Sequence, residues 1–218
     1  MALKRATYRN VRARMQPGDV IAFSGKGHFS EIIKWATRSS VSHVGIILQS
    51  KLLIDGKEQK GFFNQIIEST TLNGFSGVTI SRLSDRVDKY DGEIWWLPLG
   101  KNVRKLFNGK EFFDFMLHQE RKEYDMPQAI ASALDLLDNV PLIGNATHNV
   151  EEFSRFFCSE LATAGLEKAG AIRQVNSSEV TPVDLCMFNI FEQDYFQIKG
   201  SRRAIKGHNT LDPTGWGE

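Results

Sequence analysis

Only two cysteines occur in the 218 residues, Cys158 and Cys186. Two are too few for a disulfide framework, and without a CxxC pair or a Cys/His cluster the spacing gives no zinc signature. Long apolar runs are lacking as well: no stretch approaches the ~18 to 20 consecutive residues that a bilayer span needs. The basic N-terminus is followed by no apolar run before Met15-Gln16-Pro17-Gly18, so it does not read as a secretory signal. Nor is there an excess of one charge. The 27 Lys and Arg residues against 26 Asp and Glu leave a net charge of +1, which provides no global field for nucleic acid. Internal repeats and low-complexity stretches are absent too. Together these absences favour a reducing, cytoplasmic setting.

What remains is an ordinary globular composition, 41% hydrophobic and 24% charged, in a chain long enough for one generous core. Basic residues gather at the ends: Lys4, Arg5, Arg9, Arg12 and Arg14, then Arg202, Arg203 and Lys206. They fit solvated terminal segments, or a contact with an anionic surface. Residues 1–16 read as a basic arm or helix, 17–200 as a single domain, and 201–218 as a C-terminal tail, poorly anchored from Gly207 on.

Within the domain, the turn Pro17-Gly18-Asp19 precedes a short buried strand, Val20 to Phe23, which Ser24-Gly25-Lys26-Gly27 ends. Phe29, Ile32, Ile33 and Ala36 recur at helical spacing over 29–38. Further strands are expected at 44–48, 52–54, 64–70, 78–83 and 93–99. Helices follow over 108–122, after Pro127 through Leu137, and from near Cys158 to a stop at Gly170. A loop over 139–154 lies between the last two, and a late strand covers 193–199. Strands first and helices after predict an α+β domain, an antiparallel sheet or open barrel packed against a helical layer.

Chemistry centres on three residues. Cys158, in Phe157-Cys158-Ser159-Glu160-Leu161, falls in the expected first turn of a helix, where open backbone N–H groups favour a thiolate and can hold an oxyanion. The bland alternative is a small core hydrophobe, which is also the reading for Cys186. His43, in Ser42-His43-Val44-Gly45-Ile46, sits where a polar loop enters a buried strand. It reads either as a satisfied core histidine or as a general base. His28 fits a cleft rim, whereas His118, His148 and His208 fall on a helix, a loop and the tail. Glu68 closes the run Ile66-Ile67 and needs a polar partner if buried. On a strand next to that of His43 it could orient the imidazole; otherwise it is an exposed strand end.

The segments Pro17-Gly18-Asp19-Val20-Ile21, Ser42-His43-Val44-Gly45-Ile46, Ile67-Glu68-Ser69 and Phe157-Cys158-Ser159-Glu160-Leu161, taken in order over about residues 17–190, resemble the permuted papain-like group of NlpC-type proteins, the YiiX/YebB-like hydrolases. In that group the papain fold is circularly permuted, so that histidine precedes cysteine. The resemblance implies Cys158 as nucleophile, His43 as base and Glu68 as orienting group. Tyr124, beside Asp125, is implied as an oxyanion or substrate contact, against a plain helix-end tyrosine.

The implied activity is that of a cysteine hydrolase, an amidase or peptidase cleaving a peptide-like amide, such as a cell-wall fragment, through an acyl-enzyme. Such a reaction requires no metal or organic cofactor. Two alternatives stay open. One is acyl transfer or hydrolysis on a lipid or ester at the same site, as in lecithin:retinol acyltransferase-like relatives. There Phe62-Phe63 and Phe112-Phe113-Asp114-Phe115 would line an acyl site, although core packing also explains these aromatics. The other is a non-catalytic domain that binds a peptide or partner.

Overall fold

The computed structural model describes residues 2–26, 39–51, 53–54, 57–58, 64–72, 74–122 and 157–217. The expected helix at 29–38, the helix after Pro127, the 139–154 loop, Phe62, Phe63, His28, His148 and Tyr124 lie outside those residues.

Continuous apolar runs, rather than alternating ones, mark strands covered on both faces. Two such runs form the centre of the molecule. They are β2 (Val20–Gly25) and β3 (His43–Gln49), antiparallel and buried almost throughout, with Phe23 opposite His43 and Val20 opposite Ile46. Around them the chain builds a seven-stranded sheet that also contains β1 (Ala2–Arg5), β6 (Gln65–Leu72), β7 (Phe75–Arg82), β8 (Gly92–Leu97) and β9 (Asp194–Lys199). The order is β1-β9-β8-β2-β3-β6-β7. Among the described residues of this sheet, the β1–β9 pair is parallel and the other pairs are antiparallel. A separate two-residue hairpin joins β4 (Leu53–Ile54) to β5 (Lys57–Glu58). The molecule is a mixed α+β fold around an open sheet.

Because strand side chains alternate, each face of the sheet has its own core. Val44, Ile46 and Leu48 of β3 join Ile67, Trp95 and Leu97 beneath α4 (Gly109–Gln119) and α5 (Phe157–Lys168). The opposite face gathers Ile21, Phe23, Ile47, Ile66, Ile94 and Trp96. It is covered by Val11 of α1 (Tyr8–Val11), Met15, and Leu83 and Val87 of α2 (Leu83–Lys89). Phe112 lies in the first core, with Phe113 and Phe115 packed against it; packing accounts for that aromatic stretch.

Both ends of the chain are more ordered than an arm and a tail, and the helix expected within 1–16 is present as α1. The N-terminal residues are not a free arm, since Ala2–Arg5 add an edge strand to β9. The C-terminal segment is anchored rather than loose. His208 is buried between the rings of Tyr195 and Phe191, and Trp216 packs edge-on against Phe188, with centroids 5.8 Å apart. Apolar residues spaced too widely to show periodicity hold this segment. The 78–83 strand ends one residue early, because Leu83 opens α2.

Asp19 ties the elements together at one end of the sheet. Its buried carboxylate accepts hydrogen bonds from Gln16 N (2.9 Å), Trp96 Nε1 (2.9 Å), Leu99 N (3.0 Å) and the guanidinium of Arg104, on α3 (Lys101–Leu106). The preceding Gly18 has φ of 86°, and a Cβ there would lie 2.5 Å from the Phe107 ring, so the turn requires glycine. Gly45 is required for a different reason. Its Cβ would fall 2.5 Å from Ile66 Cδ1 and 3.2 Å from Glu68 Cβ. Gly45→Ala is therefore expected to destabilise the fold by about 1–3 kcal/mol, read as a lower urea midpoint. An unchanged midpoint would show that β6 can move away.

Candidate active site

The site forms where β3 begins. Glu68 lies mid-strand in β6 and is fully buried, and it reaches across Gly45 to His43: Glu68 Oε2 is 2.7 Å from His43 Nε2. The structure thus unites two of the three residues singled out in the sequence. With Glu68 on Nε2, the neutral imidazole carries its proton there and its lone pair on Nδ1.

The third residue, Cys158, is the second residue of α5, a helix packed on β3 and β6. Its Sγ accepts a hydrogen bond from Val44 N at 3.4 Å. That N–H belongs to the peptide bond joining His43 to Val44, so the sulfur touches the backbone of the candidate base. Ile47 N donates to Asp19 O and Ile47 O accepts from Gly18 N, just ahead of β2, so by alternation the Val44 N–H faces the β6 side. The β3–β6 ladder, however, pairs only residues from Ile46 to Gln49. The sulfur takes the place of a strand partner at the point where that ladder has ended. Cys158 approaches from the α5 face, and the His43 ring packs beside Phe23, 5.3 Å between centroids. Cys158 is 1% exposed.

Sequence reasoning missed Arg86. It lies on α2, within a stretch left unassigned, yet Leu83 and Val87 at i, i+4 with Asp85 between them were a usable helix signal. Arg86 Nε donates to Glu68 Oε1 at 2.5 Å and Nη2 to Glu68 Oε2 at 3.0 Å. The guanidinium also sits over the rings of Phe23 and Tyr90, at 5.4 and 5.6 Å from their centroids. Burial pushes the Glu68 carboxyl up, but Arg86 and His43 outweigh it and hold the group at about 2, below its ordinary 4.5.

The sign of the pH dependence follows. A carboxylate depressed in the folded state stabilises fully above its unfolded value, and that stabilisation is lost as pH falls through the folded one. Urea midpoints should therefore fall between about pH 5 and pH 2, with about 3 kcal/mol attributable to this group. Glu68→Gln should be less stable at neutral pH and flatter across that window; parallel curves for the two proteins would contradict the assignment.

The remaining described candidates have other surroundings. Cys186, on α6 (Pro182–Met187), is fully buried, and burial pushes its thiol up. His118 is exposed, with Nδ1 2.7 Å from Asp114 O. His208 is buried, with its ring nitrogens 3.2 Å from Cys186 O and 3.4 Å from Glu192 O. Among the described residues no three His, Cys, Asp or Glu side chains gather closely enough to hold a metal ion, and no helix is long and apolar enough to cross a membrane.

No family model matches the chain, and no curated protein matches its sequence. Among solved structures the chain is weakly similar to the crystal structure of metalloprotein yiiX from Escherichia coli O157:H7. Identity is 17%, coverage is 72% of this chain and 68% of that one, and the TM-score is 0.43.

Proposed function

We propose that the chain is a cysteine hydrolase with a permuted papain-like arrangement, in which a strand-borne histidine precedes a helix-borne cysteine. The observation that carries this reading is the Cys158 sulfur held at the peptide N–H of Val44, one residue from an imidazole already paired with Glu68. The four ordered motifs of the sequence support it.

In the proposed reaction His43 takes the thiol proton on Nδ1, and Nε2–H continues to donate to Glu68. The thiolate attacks a carbonyl carbon, and the backbone N–H of Cys158 with a second donor meets the oxyanion. As the tetrahedral intermediate collapses, the bond to nitrogen breaks and the imidazolium protonates the leaving amine. Water, deprotonated by the same imidazole, then releases the acyl group and restores the thiol. The substrate class we assign is a peptide-like amide. An ester or lipid acyl group is processed by the same steps with an alcohol leaving.

Burial of Cys158 favours the rival reading, a non-catalytic binding domain whose thiol is core. Incubation with a panel of activated peptide amides and acyl esters, followed by intact-mass and peptide mass spectrometry, separates the two. The hydrolase reading expects an acyl adduct on Cys158 that clears with time, and the relative rates of amide and ester rank the substrate classes. No adduct with any panel member, or an adduct only on Cys186, would sink it.

A further inference from the structure

We propose that Arg86 is a positioning residue of the Cys158–His43–Glu68 site, clamping both oxygens of the Glu68 carboxylate so that it stays ionised and aimed at His43, and thereby setting the lowest pH at which the thiol reacts. The inference rests on the cysteine-hydrolase reading.

Geometry carries it. A guanidinium presents a planar fork, and Arg86 uses that fork on both Glu68 oxygens. Oε2 is shared: it accepts from Arg86 Nη2 and faces His43 Nε2. Rotation of the carboxylate away from the imidazole would therefore break the arginine fork as well. The guanidinium is itself fixed over Phe23, whose ring also abuts His43. Leu83 and Val87 already dock α2 on the sheet, so anchoring the helix does not account for a cation 13% exposed and turned onto Glu68 between them.

The charge balance points the same way. Among the described residues, the charged or titratable groups facing Glu68 are Arg86 from α2 and His43 from β3. β7 presents Thr79 opposite it, β2 presents Phe23, and Tyr90 faces the guanidinium from the end of α2. Glu68 is wholly removed from water, and a carboxylate so placed without a cation takes up a proton at higher pH. A protonated Glu68 no longer stabilises an imidazolium, and the thiolate–imidazolium pair loses its support. Arg86 holds off that protonation.

The test is the pH profile of Cys158 alkylation by iodoacetamide, followed by peptide mass spectrometry in the wild type, Arg86→Gln and Arg86→Lys, with melting temperatures in parallel. Arg86→Gln should move the acid midpoint up by about one pH unit or more, which slows alkylation about tenfold near pH 5. The loss should shrink towards pH 8, where Glu68 ionises without the guanidinium. Arg86→Lys, which keeps the charge and loses the fork, should fall between. An acid midpoint that ignores Arg86→Gln, with only the melting temperature lowered, would reduce Arg86 to a structural ion pair. Should Arg86→Gln not fold, the 13C titration of the Glu68 carboxyl in wild type decides: a midpoint near the ordinary carboxylate range overturns the inference. A wild-type Cys158 inert at every pH overturns the hydrolase reading instead.

Discussion

Replacing Cys158 by alanine should abolish covalent labelling by an electrophilic acyl probe and lower hydrolysis of a responsive amide or ester by about 1,000-fold or more. The expected loss is this large because the thiol is the protein group that forms a bond to the substrate carbon in the proposed reaction. Stability should change little by comparison. The substitution removes one sulfur from a buried position, a cost of about 1 kcal/mol. Cys186→Ala supplies the control: the same atom is lost from the same core, with no loss of labelling. Labelling that survives Cys158→Ala, or disappears with Cys186→Ala, would place the chemistry elsewhere.

A second large effect is expected far from that thiol. Asp19→Ala should destabilise the protein by about 3–5 kcal/mol, seen as a much lower urea midpoint. The substitution strands the Trp96 indole N–H and two backbone N–H groups that now end on this carboxylate, and leaves the Arg104 guanidinium with its bond to Pro17 O but without its counter-ion. Asp19 lies at the opposite end of β2 from Phe23, the residue paired with His43. The folded fraction should therefore label at Cys158 like wild type. A midpoint close to wild type would mean that water enters the cleft of about 620 Å³ lined by Arg14, Trp96, Arg104 and Phe196 and takes over the bonds.

How much of this was legible in the sequence depends on range. The central strands were plain, because β2 and β3 are buried on both faces and read as unbroken apolar runs. Gly170 marked the end of α5 through local bonds, Gly170 N to Glu167 O and Ala171 N to Leu166 O. His43 and Glu68 could be named because each sits at a polar interruption of an apolar strand. Their pairing was open, since only the β3–β6 register and the bare Cα of Gly45 bring them within 2.7 Å. Arg86 could not be weighed: its role comes from α2 folding back over β2 and β6, and a lone arginine in a charged stretch carries no sign of that. The edge strand β1 was hidden for a similar reason. Its pairing with β9 joins residues nearly two hundred positions apart, and its four residues are too few to show a pattern.

The account stands on the Cys158 thiol and the His43–Glu68 pair acting as one unit across the opening between β3 and β6. The rate of Cys158 alkylation by iodoacetamide against pH, in wild type and His43→Ala, tests this most directly. The account predicts a wild-type thiol that reacts well below the ordinary thiol pKa of about 8.5, and a His43→Ala profile shifted back towards that value. Superimposable profiles, or a thiol that reacts only after the protein unfolds, would contradict it.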